Sequence, residues 1–210
     1  MSMRVLLADD HQIVRQGIKA ILEREGFEVV GEGTNGREAV TLASQLNPDV
    51  VVLDLIMPML NGMEAAREIL QQRPGSRVVL LTMHTEEHQI VAALRAGIRG
   101  YVVKTQAAED LVYAIREVAR GEIYLSPGVS RVFVEGYLSQ VAPASEPLAP
   151  RERQVLQLVA EGKTSKEIAS LLDLTVKTAE SYRTRIMEKL DIHDTAGLVR
   201  YAIRRGIIEP

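Results

Sequence analysis

Apolar residues follow two alternating rhythms along the first 121 positions. Short runs rich in β-branched residues recur at Val5 to Ala8, Glu28 to Gly31, Val50 to Leu53, Arg77 to Leu81 and Gly100 to Val103. Runs of that length bounded by turn residues read as strands buried on both faces. The segments between them repeat with a helical period. Ile13, Ile18, Ile21 and Leu22 are expected to share one face, as are Ile90, Ala93, Leu94 and Gly97, and Gly26, Pro48, Pro74, Gly97 and Gly121 fall where helices should stop. Five strand-then-helix repeats predict a doubly wound parallel sheet of the α/β class.

After Gly121 the pattern changes. Tyr124 to Leu138 is compatible with one more helix, and SQVAPASEPLAP, residues 139 to 150, has the Ala, Pro and Ser content and the lack of period of a linker. Four short helical segments follow. Thr164 with Glu167 makes a capping box ahead of Ile168 and Leu172, and Asp173 to Thr175 turns the chain into a helix over Val176 to Leu190. That is helix-turn-helix spacing. The predicted organisation is therefore a five-stranded α/β domain over 3–121, an extra helix and linker over 122–147, and a small all-α helix-turn-helix domain over 148–210.

Charge sharpens this division. The chain carries a formal net charge of -3, yet from Leu148 onward there are 11 Lys and Arg against 9 Asp and Glu, leaving 14 against 19 in the first 147 residues. Any contact with nucleic acid would thus be local to the second half. The absence of Cys excludes disulfides and thiolate chemistry. No signal peptide or membrane-spanning apolar run is evident, so a cytoplasmic protein without a membrane partner is expected.

In a doubly wound sheet, ligands sit outside the carboxyl ends of the strands. Those ends carry Asp9, Asp10, Asp54, Thr82 and Lys104. Three converging carboxylates repel unless a hard cation stands among them, and Mg²⁺ suits one or two carboxylates with several waters. A carboxylate can also accept a phosphoryl group, with a metal and a lysine neutralising its oxygens. Asp54 is the central candidate, Lys104 the point charge and Thr82 the hydroxyl for a bound phosphoryl group. Taken singly, Asp10 reads equally well as a helix N-cap and Lys104 as a solvated loop lysine.

Two further patterns point elsewhere. GEGTNG, residues 31–36, fits G-x-G-x-x-G but follows the second strand, whereas the dinucleotide fingerprint belongs to the first. His84 and His88 stand four apart without the Glu of H-E-x-x-H or a third ligand.

In the helix over Val176 to Leu190, Ala179, Tyr182, Ile186 and Leu190 form an inward stripe. As a recognition helix it would bring Lys177, Glu180, Ser181 and Thr184 to base edges, and Arg183, Arg185 and Lys189 to phosphates. Pattern alone also allows a plain amphipathic helix with a solvated polar face. In the segment from Asp194 to Arg205, Leu198, Val199, Tyr201, Ala202 and Ile203 offer more apolar surface than one packing face needs, which suits a homodimer on two half-sites of duplex DNA.

LLADDHQIVRQGI, VVVLDLIMPMLNG, VVLLTMHTEE and GYVVK resemble the receiver domain of bacterial two-component response regulators. Residues 151–206, including TSKEIASLLDLTVKTAESYRTRIMEKL, resemble a LuxR-type helix-turn-helix. Together they are similar to the NarL/FixJ family of transcription factors over nearly the whole chain. The resemblance implies that Asp54 is phosphorylated by a sensor histidine kinase, and that Asp10, Asp54 and the carbonyl of Ile56 bind Mg²⁺ with Asp9 helping through water. It further implies that Thr82 and Tyr101 move on phosphorylation and that the phosphorylated form dimerises. Two positions depart from the family pattern: Thr105 stands where many receivers have Pro, and Ala149 where a Thr usually caps the next helix. Losing that cap is expected to loosen the helix start by about 1 kcal/mol.

Two other classes use some of the same residues. A haloacid-dehalogenase-type phosphatase would need a general-acid Asp two residues after Asp54, where this chain has Ile56. An unphosphorylated DNA-binding adaptor would lack the acidic pair or the lysine, and both are present.

Overall fold

The computed structural model describes residues 2–83, 87–104, 108–130 and 147–208. The chain divides into two compact units, the second containing the described residues 147–208.

In the first unit, strands β1 (Arg4–Ala8), β2 (Glu28–Gly33), β3 (Val50–Asp54), β4 (Val78–Thr82) and β5 (Gly100–Val103) alternate with helices α1 (Gln12–Arg24), α2 (Gly36–Leu46), α3 (Gly62–Gln72), α4 (Glu87–Arg95) and α5 (Ala108–Ala119). All strand pairings are parallel, and the order 2-1-3-4-5-6 reverses direction at β1. Every residue of β3 and β4 is buried, because helices cover both faces of the sheet. Alternate side chains of the strands supply the two cores. Val5, Leu7, Val50, Val52, Val79 and Leu81 pack with Leu111, Ile115 and Val118 of α5 and Leu22 of α1.

Two expectations are corrected here. The sheet has six strands, not five, since β6 (Tyr124–Leu125) pairs with Gly100 and Tyr101 at the β5 edge. The Tyr124 N–H donates to the Arg99 carbonyl at 2.8 Å and the Ser126 N–H to the Tyr101 carbonyl at 3.0 Å. The proposed helix over 124–138 therefore opens as a strand; residues 127–130 are helical, and the rest of it, like the linker core, lies outside the described residues. A two-residue strand is too short to show a period, and its reason is the edge it covers. Ile13 is also misassigned: it is 89% exposed while Leu22 is fully buried. At about 100° per residue, nine positions place Ile13 opposite Leu22 on α1.

The second unit contains α6 (Pro150–Ala160), α7 (Ser165–Leu171), α8 (Val176–Leu190) and α9 (Thr195–Arg204). Val155, Leu156, Val159, Ile168, Leu172, Ala179, Ile186, Leu198 and Ala202 form its core. The capping box is present: Thr164 Oγ1 accepts from the Glu167 N–H at 3.3 Å and Glu167 Oε2 from the Thr164 N–H at 2.8 Å. Asp173, at φ 54°, makes the turn, and Thr175 caps α8 by accepting from the Thr178 N–H at 3.1 Å. Ala149 offers no side-chain cap to α6, as expected; Glu152 alone reaches back, accepting from the Ala149 N–H at 2.8 Å.

Candidate functional site

Parallel pairing of β1 with β3, Ala8 opposite Leu53, brings the residues after β1 beside Asp54 at the end of β3. Asp9 is fully buried, Asp54 is 4% exposed and Asp10 is exposed. Lys104, just past β5, spans both buried acids: its Nζ lies 2.8 Å from Asp9 Oδ2 and 2.8 Å from Asp54 Oδ2. The Lys104 N–H donates to the Thr82 carbonyl at 2.7 Å, which fastens this turn to the buried end of β4. His11 adds to the cluster. Its backbone N–H donates to Asp9 Oδ1 at 2.9 Å and its Nδ1 lies 2.9 Å from Asp10 Oδ1. Ligand atoms of Asp9, Asp10, His11 and Asp54 all lie within 4.8 Å of one another.

The electrostatics follow from burial. Burial pushes the Asp54 carboxyl up to about 6, and Asp9 and Asp10 add to this, although Lys104 pulls the other way. At Lys104 burial acts to lower the pKa, but Asp54 and Asp9 outweigh it and hold the ammonium above its ordinary value. One cation among three carboxylates leaves the cluster net negative, which suits a second, hard cation.

Gly62 packs directly against the backbone at the end of β3. It opens α3 directly after Asn61, whose side chain accepts from the Glu64 N–H at 2.9 Å. A Cβ at Gly62 would stand 2.0 Å from the Asp54 carbonyl oxygen, so this close approach admits no side chain. Thr82 is buried beside the cluster at the end of β4. Tyr101 is buried near the start of β5, opposite Leu80, at the other end of its strand from Lys104. Ile56 sits in the loop two residues beyond Asp54.

On α8, Ala179 and Ile186 are buried and Tyr182 and Leu190 half-buried, which makes the expected inward stripe. Lys177, Glu180, Ser181, Thr184 and Arg185 are exposed, and the Arg185 guanidinium lies over the Tyr182 ring at 5.7 Å. Arg183 is half-buried, its Nη2 3.5 Å from Thr195 Oγ1. Lys189 is engaged: its Nζ is 2.7 Å from Oε2 of the buried Glu152 on α6.

Residues 5–116 match the response regulator receiver domain, and residues 146–202 match the bacterial regulatory proteins of the luxR family. The VraR response regulator of Staphylococcus aureus is 37% identical over 210 residues, covering all of both chains. The chain belongs to the LuxR-type response regulators. Among solved structures of this family, RcsB from Salmonella enterica serovar Typhimurium, bound to promoter rprA in the presence of the phosphomimetic BeF3-, is 31% identical. It covers 96% of this chain and 98% of its own, with a TM-score of 0.66. A LuxR-family response regulator from Aurantimonas is 36% identical over 66% of this chain and 99% of its own, with a TM-score of 0.64. The protein is thus a response regulator with a LuxR-type DNA-binding half, not a metabolic enzyme.

Within this response regulator the structure gathers Asp9, Asp10, Asp54 and Lys104 into one cluster with Thr82 at its edge. His11 and Gly62 were not singled out from the sequence. GEGTNG is a strand end and a cap: Asn35 accepts from the Glu38 N–H at 3.0 Å, and Glu38 accepts from the Thr34 N–H at 2.7 Å, so the turn bonds to itself. His84 lies outside the described residues, as does the side chain of His88.

Proposed function

We propose that Asp54 accepts a phosphoryl group from a sensor histidine kinase and that this modification controls binding of the second unit to duplex DNA. The observation that carries the reading is the buried Asp54 carboxylate at the end of β3, held 2.8 Å from Lys104 beside Asp9 and Asp10. An oxygen of Asp54 forms the new O–P bond as the N–P bond to the kinase histidine breaks, and Lys104 balances charge on the transferred group. Asp10, Asp54 and the Ile56 carbonyl would hold Mg²⁺ through oxygen donors, with Asp9 acting through water, while the His11 imidazole in the same cluster stays paired to Asp10. When bound, Mg²⁺ supplies charge neutralisation at the phosphoryl oxygens. The Thr82 hydroxyl hydrogen-bonds the phosphoryl group, and its movement together with Tyr101 carries the change away from Asp54.

The receiver runs from residue 3 through β6 at the edge of its sheet, and the DNA-binding domain occupies 148–210. Lys177, Glu180, Ser181 and Thr184 meet base edges and Arg183 and Arg185 meet phosphates, while Lys189, already paired to Glu152, adds less to phosphate contact. Val199, Tyr201 and Ile203, half-buried on α9, provide apolar surface for a homodimer on two half-sites. The protein works in the cytoplasm; no helix among the described residues is long and apolar enough to cross a membrane.

The test titrates one duplex, selected from a random pool, with the unphosphorylated and phosphorylated full chain at fixed salt. Coupling of about 1 to 3 kcal/mol tightens binding roughly fivefold to a hundredfold. Mass spectrometry after incubation with Mg²⁺ and a small phosphodonor should place the acyl phosphate on Asp54. Labelling of Asp54→Asn at the wild-type level, or unchanged affinity and oligomeric state on phosphorylation, overturns the reading.

A further inference from the structure

We propose that Arg15 is the positioning residue that holds the Asp9–Asp10 pair in register with Asp54, and that Glu32 braces it. The proposal rests on the reading of Asp9, Asp10 and Asp54 as a Mg²⁺ and phosphoryl-acceptor site.

Arg15 lies on α1, one turn past its start, yet its side chain is only 11% exposed. An arginine is rarely buried without partners to satisfy it. Its Nη1 donates to the backbone carbonyl of Asp9 at 2.6 Å. Its Nε stands 3.4 Å from Oε2 of Glu32 on β2. Glu32 is itself gripped from α1: Lys19 Nζ lies 2.6 Å from Oε1, and Gln16 Nε2 donates to Oε2 at 2.8 Å. These contacts, with the Lys19 ammonium first, hold the Glu32 carboxyl below its ordinary range. Thus β2, α1 and the turn after β1 are joined through one guanidinium.

The Asp9 carbonyl is the sensitive point. The Asp9 N–H donates to the Gly33 carbonyl at 3.2 Å, so β2 restrains the residue from one side and Arg15 from the other. The next peptide leads into Asp10, whose exposed side chain is paired within the cluster to His11. A rotation of the Asp9–Asp10 peptide would swing Asp10 away from Asp54 while leaving Asp9 on Lys104. Arg15 opposes that rotation. It touches neither the phosphoryl group nor the metal, and acts on both acids through the backbone between them. Partners one layer out from a metal's ligands commonly set its affinity in this way.

Arginine suits this role better than lysine. Its fork serves the carbonyl and the Glu32 carboxylate together, whereas a single ammonium serves one acceptor at a time or sits between them loosely.

The test measures Mg²⁺ affinity of the unphosphorylated full chain by titration calorimetry, alongside the Mg²⁺ dependence of phosphorylation by a small phosphodonor and the melting temperature. Arg15→Ala should weaken Mg²⁺ binding about 10-fold to 100-fold. It should raise the Mg²⁺ concentration for half-maximal labelling by the same factor and leave labelling at saturating Mg²⁺ near wild type. Arg15→Lys should recover part of the affinity, and Glu32→Gln should show a smaller loss than Arg15→Ala. A purely structural role would lower the melting temperature without moving Mg²⁺ affinity, and that result overturns the proposal. Should Arg15→Ala fail to fold, Glu32→Gln decides: weakened Mg²⁺ binding supports the proposal and unchanged binding overturns it. Failure of the underlying reading looks different, because then the wild-type chain binds no Mg²⁺ or Asp54→Asn is labelled as well as wild type.

Discussion

Lys104 Nζ stands 2.8 Å from Asp54 Oδ2, and it makes the same 2.8 Å approach to Asp9. One ammonium thus separates two carboxylates that the parallel sheet forces together. Removing it should leave two buried acids facing each other. Lys104→Ala is expected to lower the melting temperature in EDTA, since an uncompensated buried charge commonly costs about 3–5 kcal/mol. Mg²⁺ should restore part of the loss, because a divalent cation answers the same two carboxylates. Equal melting of variant and wild type in EDTA would show that Lys104 contributes no such compensation.

The acidity of Asp54 supplies a pH signature. Its ordinary value is 3.8, and burial raises it to about 6 in the folded chain. The folded state therefore binds the extra proton more readily than the unfolded state between those values. The contribution is fully present below pH 3.8 and is lost as pH rises through 6. In EDTA, wild-type stability relative to Asp54→Asn should fall across that window. Stabilisation by Mg²⁺ should rise over the same window, since the metal competes with the proton. A wild-type minus Asp54→Asn difference that does not change with pH would contradict both expectations.

Gly62→Ala tests the backbone rather than the charges. A Cβ 2.0 Å from the Asp54 carbonyl oxygen cannot be accommodated without moving β3 or the start of α3. Overpacking of this kind typically costs about 1–3 kcal/mol. Chemical denaturation should show at least that loss, and labelling at Asp54 should slow at saturating Mg²⁺, which distinguishes this variant from Arg15→Ala.

Much of this was legible in the sequence because two signals are strong there. Fully apolar strands announce a buried parallel sheet, and in such a sheet the residues after the strands converge whatever their separation along the chain. Asp9, Asp10, Asp54, Thr82 and Lys104 could therefore be placed before any coordinates. Residues that act through the backbone leave no such trace. Gly62 looks like any turn glycine, and Arg15 like any polar residue on a surface helix, until the carbonyls of Asp54 and Asp9 are seen beside them. Strand β6 was missed for a different reason: two residues cannot display a period, and Tyr124 and Leu125 suit a helix start equally well. Ile13 is apolar yet exposed because helical phase, nine positions before Leu22, turns it away from the sheet.

Glu152 and Lys189 should govern the stability of the second unit in acid. Burial works against the Glu152 carboxylate, but the Lys189 ammonium and the Ala149 N–H outweigh it and hold the pKa below its ordinary 4.5. A depressed folded value means stability present above 4.5 and lost as pH falls below it through the folded value. Hydrogen exchange of α6 and α8 in the full chain should accelerate as pH falls through that region, after correction for intrinsic rates. Lys189→Met should remove most of the dependence. It should also cost about 1 kcal/mol at neutral pH, because Glu152 loses its ammonium partner but keeps the Ala149 N–H.

The same ion pair divides the basic residues of α8 into two groups when DNA binding is measured. Arg185 is exposed and its guanidinium lies over the Tyr182 ring, so its charge is available to a phosphate. Lys189 already neutralises Glu152 at 2.7 Å and would displace few further counterions. With the phosphorylated full chain, Arg185→Ala should weaken all duplexes alike and reduce the dependence of log K on log salt by about one unit. Lys189→Met should change that slope by clearly less, with any loss of affinity tracking its loss of stability. Lys177→Ala and Ser181→Ala, at the exposed start of α8, should instead alter which sequence is preferred. These arms separate phosphate contact from base contact within one helix. Equal slope changes for Arg185→Ala and Lys189→Met would mean that the Glu152 pair opens on binding. Unchanged sequence preference in both Lys177→Ala and Ser181→Ala would remove the N-terminal part of α8 from the reading surface.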